Sequence, residues 1–145
     1  SDSYKAIDEF QLFMSKYPNS PWLDSCNTLV KDLRSRLEKK SFEKAKLYFK
    51  MEKYRSAVIA FKSALSEFPD TRYKEDIMFL ALKSNYLYAE NSVIIKKVER
   101  FEETIKSYHS FVDSFRNSNY FREAENFYSS SLKELEKLKS ESNGI

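Results

Sequence analysis

The chain has very few of the residues that interrupt regular structure. Among 145 residues there are one Gly, three Pro, one Cys and one His. Sheet proteins place Gly and Pro at their many turns, so this scarcity argues against a β fold. A single cysteine excludes an intramolecular disulfide and a multi-cysteine metal site. The only glycine, Gly144, lies at the end of the chain, so no glycine-rich loop is present to cradle a phosphate.

Long apolar runs and segregated charge are also missing. No segment approaches the roughly 20 apolar residues that a membrane-spanning helix needs. The 25 basic and 22 acidic residues give a formal net charge of +3 and are mixed along the chain. A nucleic-acid-binding protein is expected to show a clustered basic stripe, so we expect no nucleic-acid partner.

Aromatic residues are plentiful, at 16% of the chain, and they recur at helical spacing. With 41% hydrophobic residues, the chain can bury one continuous core. We therefore predict an all-α protein.

The clearest motif is YRSAVIAFKSALSEFPDT, over residues 54–71. Ala57 and Ala64 are small enough to let a neighbouring helix come close, and Phe61 fills the gap between the helices. Pro69 ends the helix, because it has no N–H to donate and disfavours helical geometry in the residue before it. This pattern is typical of the second helix in a tetratricopeptide-type hairpin.

The motif recurs twice. Its Ala, Phe and Pro anchors lie 51 residues earlier in YKAIDEFQLFMSKYPNS, and a weaker copy lies 47 residues later, where Arg116 replaces the proline. The residues that follow align in three columns: Ser20, Thr71 and Ser118; Trp22, Tyr73 and Tyr120; Cys26, Ile77 and Ala124. The chain is therefore expected to be an array of helix pairs.

The apolar periods predict six helices. They cover residues 2–17, 22–51, 54 to the residue before Pro69, about 71–89, 93–115 and 120–138. The expected architecture is a right-handed α-solenoid of tetratricopeptide-like hairpins with elongated helices. We expect one domain over 1–139, with a repeat fragment at 2–51 and repeats at 42–91 and 92–139. Residues 140–145 are expected to form a disordered tail.

The second helix is unusually long, and the polar stretch 38–41 could instead break it. Ser20 is a favourable N-cap for this helix, with Pro21 at its first position. Cys26 lies on its apolar face with Trp22 and is expected to be a buried, unreactive thiol. The first helix resembles the second member of a pair without its first, so we expect the native protein to continue upstream.

No residue pattern indicates catalysis. His109 has no nucleophile pattern nearby and is expected to be structural. Glu99, Glu102 and Glu103 lie three or four residues from basic residues and are interpreted as salt-bridge partners rather than as a metal site. We therefore expect no catalytic residue, no cofactor site and no metal site.

Binding is the remaining function, because helical-repeat arrays present a curved surface lined mainly by the first helix of each pair. The candidate partner-binding residues are Phe42, Lys46, Phe49 and Lys50 on the long helix and Tyr86, Tyr88 and Asn91 at the end of the next first helix. Mixed aromatic and basic character suits a partner with acidic and apolar groups. In the alternative interpretation, the two phenylalanines belong to the core and the lysines are solvated.

Residues 35–92 resemble the C-terminal tetratricopeptide region of the BamD family of outer-membrane assembly lipoproteins, and the resemblance extends over nearly the whole chain, from Tyr4 to about Leu138. That family begins a long helix near an Arg-Leu pair, here Arg36 and Leu37, and ends a later helix with an aromatic-Pro-Asp-Thr turn, here 68–71. The segment SNYLYAENSVIIKKVERFEETIKSYHSFVDSF is similar to the form found in Bacteroidetes-type bacteria. The sequence departs from the family pattern at Arg116, in place of Pro, and at Glu52, in place of a turn Gly.

The resemblance implies a non-catalytic scaffold without cofactors at the periplasmic face of the outer membrane. The partners it implies are the periplasmic (POTRA) domains of BamA and other subunits of the assembly machinery. The family's lipid-bearing cysteine lies near the mature N-terminus, so Cys26 is not that residue. Membrane association is expected only through a lipid anchor that lies outside this chain. The alternative is a periplasmic adaptor of the CpoB type that links envelope integrity or cell-wall synthesis proteins.

Overall fold

The computed structural model describes residues 2–143, and these residues form six α-helices and no strand. The helices are α1 (Asp2–Lys16), α2 (Leu23–Lys50), α3 (Tyr54–Glu67), α4 (Lys74–Glu90), α5 (Ile94–Ser114) and α6 (Phe121–Asn143). The prediction of an all-α helical array is confirmed. The second helix is continuous through the polar stretch 38–41, so the alternative of a break there is wrong.

The end of the chain differs from the expected tail. Helix α6 continues to Asn143, so residues 140–143 are helical rather than disordered. Exposed polar side chains in this last turn do not prevent helix formation, because Lys, Glu and Ser are acceptable helix residues. Residues 144 and 145 lie outside the described residues.

The described residues form two compact units, divided between residues 41 and 42. In the first unit the buried apolar residues are Ile7, Cys26 and Leu37, so the predicted burial of the thiol is confirmed. Trp22 was expected on the same apolar face, but its side chain is 66% exposed. The reason is local: α2 begins one residue later, and Trp22 lies in the preceding turn. The assignment of 1–139 to one domain stays a prediction.

The turns before α2, α4 and α6 have the same hydrogen bond. In each, a hydroxyl oxygen accepts the backbone N–H two residues later. The pairs are Ser20 with Trp22 at 3.1 Å, Thr71 with Tyr73 at 3.3 Å, and Ser118 with Tyr120 at 3.0 Å. The first two of the three aligned sequence columns are thus equivalent positions in the turns before α2, α4 and α6. Ser20 satisfies an amide in the turn, and the helix starts three residues after it.

The core of the second unit is built around α4. Three apolar clusters share this helix: one with α2 and α3, one with α5 and α6, and one at the end where α4 meets α5 and the last part of α6. Their buried members are Phe42, Ala45, Ala57, Phe61, Ala64 and Ile77; Phe79, Leu82, Tyr108, Phe111 and Ala124; and Ala89, Phe101 and Leu135. Apolar residues therefore occur around the whole circumference of α4, as expected for a central helix.

Aromatic stacking aligns the first helix of each pair. Tyr73, before α4, stacks on Phe42 of α2 with ring centroids 4.6 Å apart. Tyr120, before α6, stacks on Phe79 of α4 at 4.3 Å. Each ring at the start of a first helix thus lies against a ring of the preceding first helix. Within the second unit, this stacking places one face of α4 next to one face of α6.

Candidate partner-binding surface

Phe42 is a core residue. Its side chain is 6% exposed, stacks on Tyr73, and lies 6.5 Å from the ring of Phe61, measured between centroids. A buried ring cannot contact a partner without opening the core. For Phe42 the alternative interpretation given above is therefore the right one, and this residue is removed from the candidate site.

The other three candidate residues on α2 reach the surface. The Lys46 ammonium lies 4.8 Å from the Phe42 ring centroid and 3.8 Å from Oε1 of Glu43. Phe49 is half-buried, and its ring meets that of Tyr54 edge-on at 5.8 Å. Lys50 is exposed at the end of the helix. Lysine ammonium groups above aromatic faces gain a modest cation–π attraction, which orients them without removing them from water.

The second predicted patch divides between two environments. Tyr86 packs against Phe127 of α6, with centroids 4.9 Å apart, and meets Phe101 edge-on at 6.0 Å. Burial and a hydrogen bond with the Glu90 carboxylate raise the pKa of the Tyr86 hydroxyl, while a hydrogen bond with Ser130 lowers it. Tyr86 is half-buried, and its polar end is fixed by these groups.

Tyr88 and Asn91 instead hold the turn between α4 and α5. The Asn91 side-chain amide donates to the Leu87 carbonyl oxygen at 2.8 Å and so satisfies one of the last carbonyls of the helix. The Ser92 hydroxyl donates to the Tyr88 carbonyl oxygen, and Arg100 lies over the Tyr88 ring at 4.1 Å from its centroid. These contacts give both residues a structural role in the turn. Their expected part in partner binding stays a prediction.

Lys83 connects the two patches, and the sequence patterns did not identify it. Its ammonium group lies 5.8 Å from the Phe49 ring centroid and 3.2 Å from Oε1 of Glu123. Lys83 is three residues before Tyr86, and Glu123 is four residues before Phe127, so each pair lies on one helix face. We call this set the lysine–aromatic surface; its members are Lys46, Phe49, Lys50, Lys83, Tyr86, Glu123 and Phe127.

Comparing the first helices with one another would have identified Lys83. The long helix has a basic residue three before an aromatic, at Lys46 and Phe49, and α4 repeats that spacing at Lys83 and Tyr86. Only the packing of α4 against α6 adds Phe127. The surface offers aromatic faces, the exposed ammonium group of Lys50 and the half-buried lysines Lys46 and Lys83. This chemistry suits a partner with carboxylates and apolar side chains.

The residues considered for catalysis lie elsewhere. His109 is exposed and meets Tyr108 and Tyr128 edge-on, at 5.4 Å from each ring centroid. Glu103 is 3.4 Å from the Lys106 ammonium, which confirms that pair as salt-bridge partners. Among residues 2–143, no group of three or more His, Cys, Asp or Glu side chains is placed to hold a metal ion.

A shallow apolar cavity of about 230 Å³ lies over α4, between α3 and α5. Its floor includes Phe61, Ile77 and Ala81, and Glu103 and Lys106 line it on α5. None of the residues that line this cavity belongs to the lysine–aromatic surface. Glu103 and Lys106 pair with each other across 3.4 Å, and we assign no chemistry to this cavity.

The chain matches the model of a known protein family. The model of the YfiO family, described as outer membrane lipoprotein, matches residues 1–100. No match was found among curated proteins. In the described part of the chain, none of the helices has the length and apolar character needed to cross a bilayer.

Proposed function

This chain belongs to the outer membrane lipoprotein family, and on that basis we propose that it is a non-catalytic scaffold subunit of the outer-membrane β-barrel assembly machinery. Within that family the proposed assignment is to BamD, in the form found in Bacteroidetes-type bacteria. The proposed location is the periplasmic face of the outer membrane. The family match carries this proposal.

The proposed partner is the periplasmic POTRA region of BamA, docked on the lysine–aromatic surface. Side chains from α2, α4 and α6 together form that surface, so one partner can engage several repeats at once. Lys46 and Lys83 already have carboxylate neighbours, Glu43 at 3.8 Å and Glu123 at 3.2 Å. Both acidic partners are about half exposed, so a partner carboxylate can compete for the lysines at little cost.

The experiment is a binding measurement between the 145-residue chain and purified POTRA domains of BamA from the same organism. Association is expected at or below about tens of micromolar, the range of a weak but specific contact. Absence of association at that concentration would overturn the docking proposal.

Paired variants then test the surface. Lys46→Glu/Lys50→Glu is expected to weaken binding about tenfold, with a reduced salt dependence, because the two ammonium groups face the acidic partner. The matched control is Lys44→Glu/Lys133→Glu, which makes the same charge change at exposed positions outside the surface. Circular dichroism is expected to show unchanged helicity for both. Equal binding by the two double variants would place the contact elsewhere on the chain.

A further inference from the structure

Three consecutive aliphatic side chains project from the turn between α4 and α5. Val93, Ile94 and Ile95 are 66%, 72% and 85% exposed. Scattered single apolar residues are normal on protein surfaces, but a contiguous group marks a contact site. We call these three residues the aliphatic tip.

The tip has basic residues directly beside it. Lys96 and Lys97 continue the first turn of α5, and Lys96 is exposed. Val93 occupies the N-cap and has no side-chain acceptor, so the first amides of α5 lack a side-chain cap. The positive end of the helix dipole therefore adds to the two lysines. This end of the unit is apolar at its apex and positively charged around it.

A second turn lies at the same end. Helices α3 and α4 are antiparallel neighbours, so the α2–α3 turn lies next to the α4–α5 turn. Burial and the carboxylates of Glu52, in the α2–α3 turn, and Glu90, the last residue of α4, raise the pKa of Tyr54 at the start of α3. The α2–α3 turn adds Met51, which is 52% exposed, and Lys53. Over residues 51–53 and 90–97, the three lysines Lys53, Lys96 and Lys97 outnumber the two carboxylates Glu52 and Glu90.

We propose that the aliphatic tip inserts into the interfacial region of an anionic phospholipid bilayer, with Lys96 and Lys97 at the phosphate level. Aliphatic side chains flanked by lysines are the usual composition of interfacial membrane contacts. The chain belongs to an outer membrane lipoprotein family, so a bilayer surface is available to it. The contact is made by protein side chains and does not depend on docking to BamA.

The shape of the tip favours a bilayer over a second copy of the chain. A stable dimer buries roughly 800 Å² on each partner, far more than three side chains can supply. Successive residues in the first turn of a helix also point in directions about 100° apart. The tip is therefore a projection rather than a flat face, and a fluid interface accommodates a projection without a matching groove.

Vesicle flotation tests the proposal with the 145-residue chain. The chain is expected to float with vesicles of phosphatidylethanolamine and phosphatidylglycerol and more weakly with phosphatidylcholine alone. Ile94→Ser/Ile95→Ser is expected to lower vesicle affinity by about tenfold or more. Lys96→Gln/Lys97→Gln is expected to reduce binding to anionic vesicles to the phosphatidylcholine level. The matched control is Ile59→Ser, because Ile59 is an equally simple aliphatic residue, 56% exposed on α3.

A fluorescence reporter shows which part of the chain enters the lipid. Trp22 is the only tryptophan and is exposed, so Trp22→Phe removes the background and Ile95→Trp places a probe in the tip. Anionic vesicles are expected to shift its emission to shorter wavelength, and brominated lipids are expected to quench it.

Three results would overturn the proposal: no flotation of the unmodified chain, equal flotation of the double isoleucine variant, or an introduced tryptophan that stays in water while the chain binds. A self-association measured by sedimentation that the isoleucine variant abolishes would instead assign the tip to a second copy. If Lys46→Glu/Lys50→Glu loses POTRA binding but still binds vesicles, the bilayer contact of the tip is supported as independent of POTRA docking.

Discussion

The hydroxyl of Tyr120 donates a hydrogen bond to Oδ1 of Asp76, which lies 44 residues earlier in the chain. Tyr120 immediately precedes α6, and Asp76 lies in the first turn of α4. The Tyr120 ring also stacks on Phe79 of α4. One residue therefore joins the starts of two first helices by both a polar and an aromatic contact.

Removing this hydroxyl is expected to lower stability in a pH-dependent way. The hydrogen bond to Asp76, followed by burial, raises the pKa of Tyr120 from 10.0 to about 12. Tyr120→Phe is expected to lower the free energy of unfolding by about 1 kcal/mol at neutral pH. The pKa of Tyr120 is higher in the folded chain than in the unfolded chain. The contribution of its hydroxyl to stability is therefore complete below about pH 10 and disappears as the pH rises through about 12.

Urea unfolding of the unmodified chain and of Tyr120→Phe at several alkaline pH values measures this difference. Asp76→Asn is the companion variant, since it removes the carboxylate that favours the neutral hydroxyl. Tyrosinate absorbance is expected to show the pKa of Tyr120 moving back toward its ordinary value. An unchanged tyrosinate titration in Asp76→Asn would mean that Asp76 does not set the pKa of Tyr120.

Truncation of the Phe42 side chain is expected to lower the stability of the fold. Phe42→Ala removes a buried ring that contacts Phe61 and Tyr73, and it should lower the free energy of unfolding by about 3–5 kcal/mol. Phe49→Ala is the comparison on the same helix; its ring is half-buried, so its loss should be about half as large or less. Chemical denaturation measures both. Similar losses would contradict the placement of Phe42 in the core and Phe49 at the surface.

The small residues of α3 are expected to tolerate no enlargement. Ala64 is 2% exposed in the cluster between α2, α3 and α4. Ala64→Leu should cost about 1–3 kcal/mol, because the added atoms push the packed helices apart. Ser63→Leu adds bulk at the neighbouring exposed position and should leave thermal stability nearly unchanged. If the two leucine variants have the same melting temperature, the close packing of the helices does not depend on Ala64.

Glycine is expected to stabilise the turn after α2. Glu52 has φ of 60°, and the turn is closed by hydrogen bonds from Glu52 to Phe49 and from Lys53 to Tyr48, both 3.0 Å. This is the helix C-terminal geometry that favours Gly, because a Cβ atom is strained there. Glu52→Gly should raise the free energy of unfolding by about 1 kcal/mol.

Glu52→Gln separates charge from backbone conformation. It removes the carboxylate and keeps the Cβ atom, so its stability should stay near that of the unmodified chain. A gain equal to that of the glycine variant would assign the effect to charge. The BamD-like pattern has a glycine at this turn, so the strained residue was visible in the sequence as a departure from that pattern.

The order and extent of the helices could be predicted from local information. Apolar periodicity and the scarcity of Gly and Pro were enough to place all six helices, and the aligned columns at Ser20, Thr71 and Ser118 correspond to three equivalent turns. Helix formation and turn chemistry depend on neighbouring residues, which the sequence shows directly. The predicted ends of the helices were less accurate than their positions, because polar residues at a helix terminus are compatible with both helix and coil.

The candidate surface needed the tertiary structure. Phe42 and Phe49 have the same side chain on the same helix, and only the position of Tyr73 and Phe61 makes one of them core and the other accessible. Lys83 became a candidate because packing brings it to Phe49 on one side and Glu123 on the other. The sequence by itself determined a helical repeat array and its family; which faces are buried and which are free was decided by helix–helix packing, because burial depends on contacts between residues far apart in the chain.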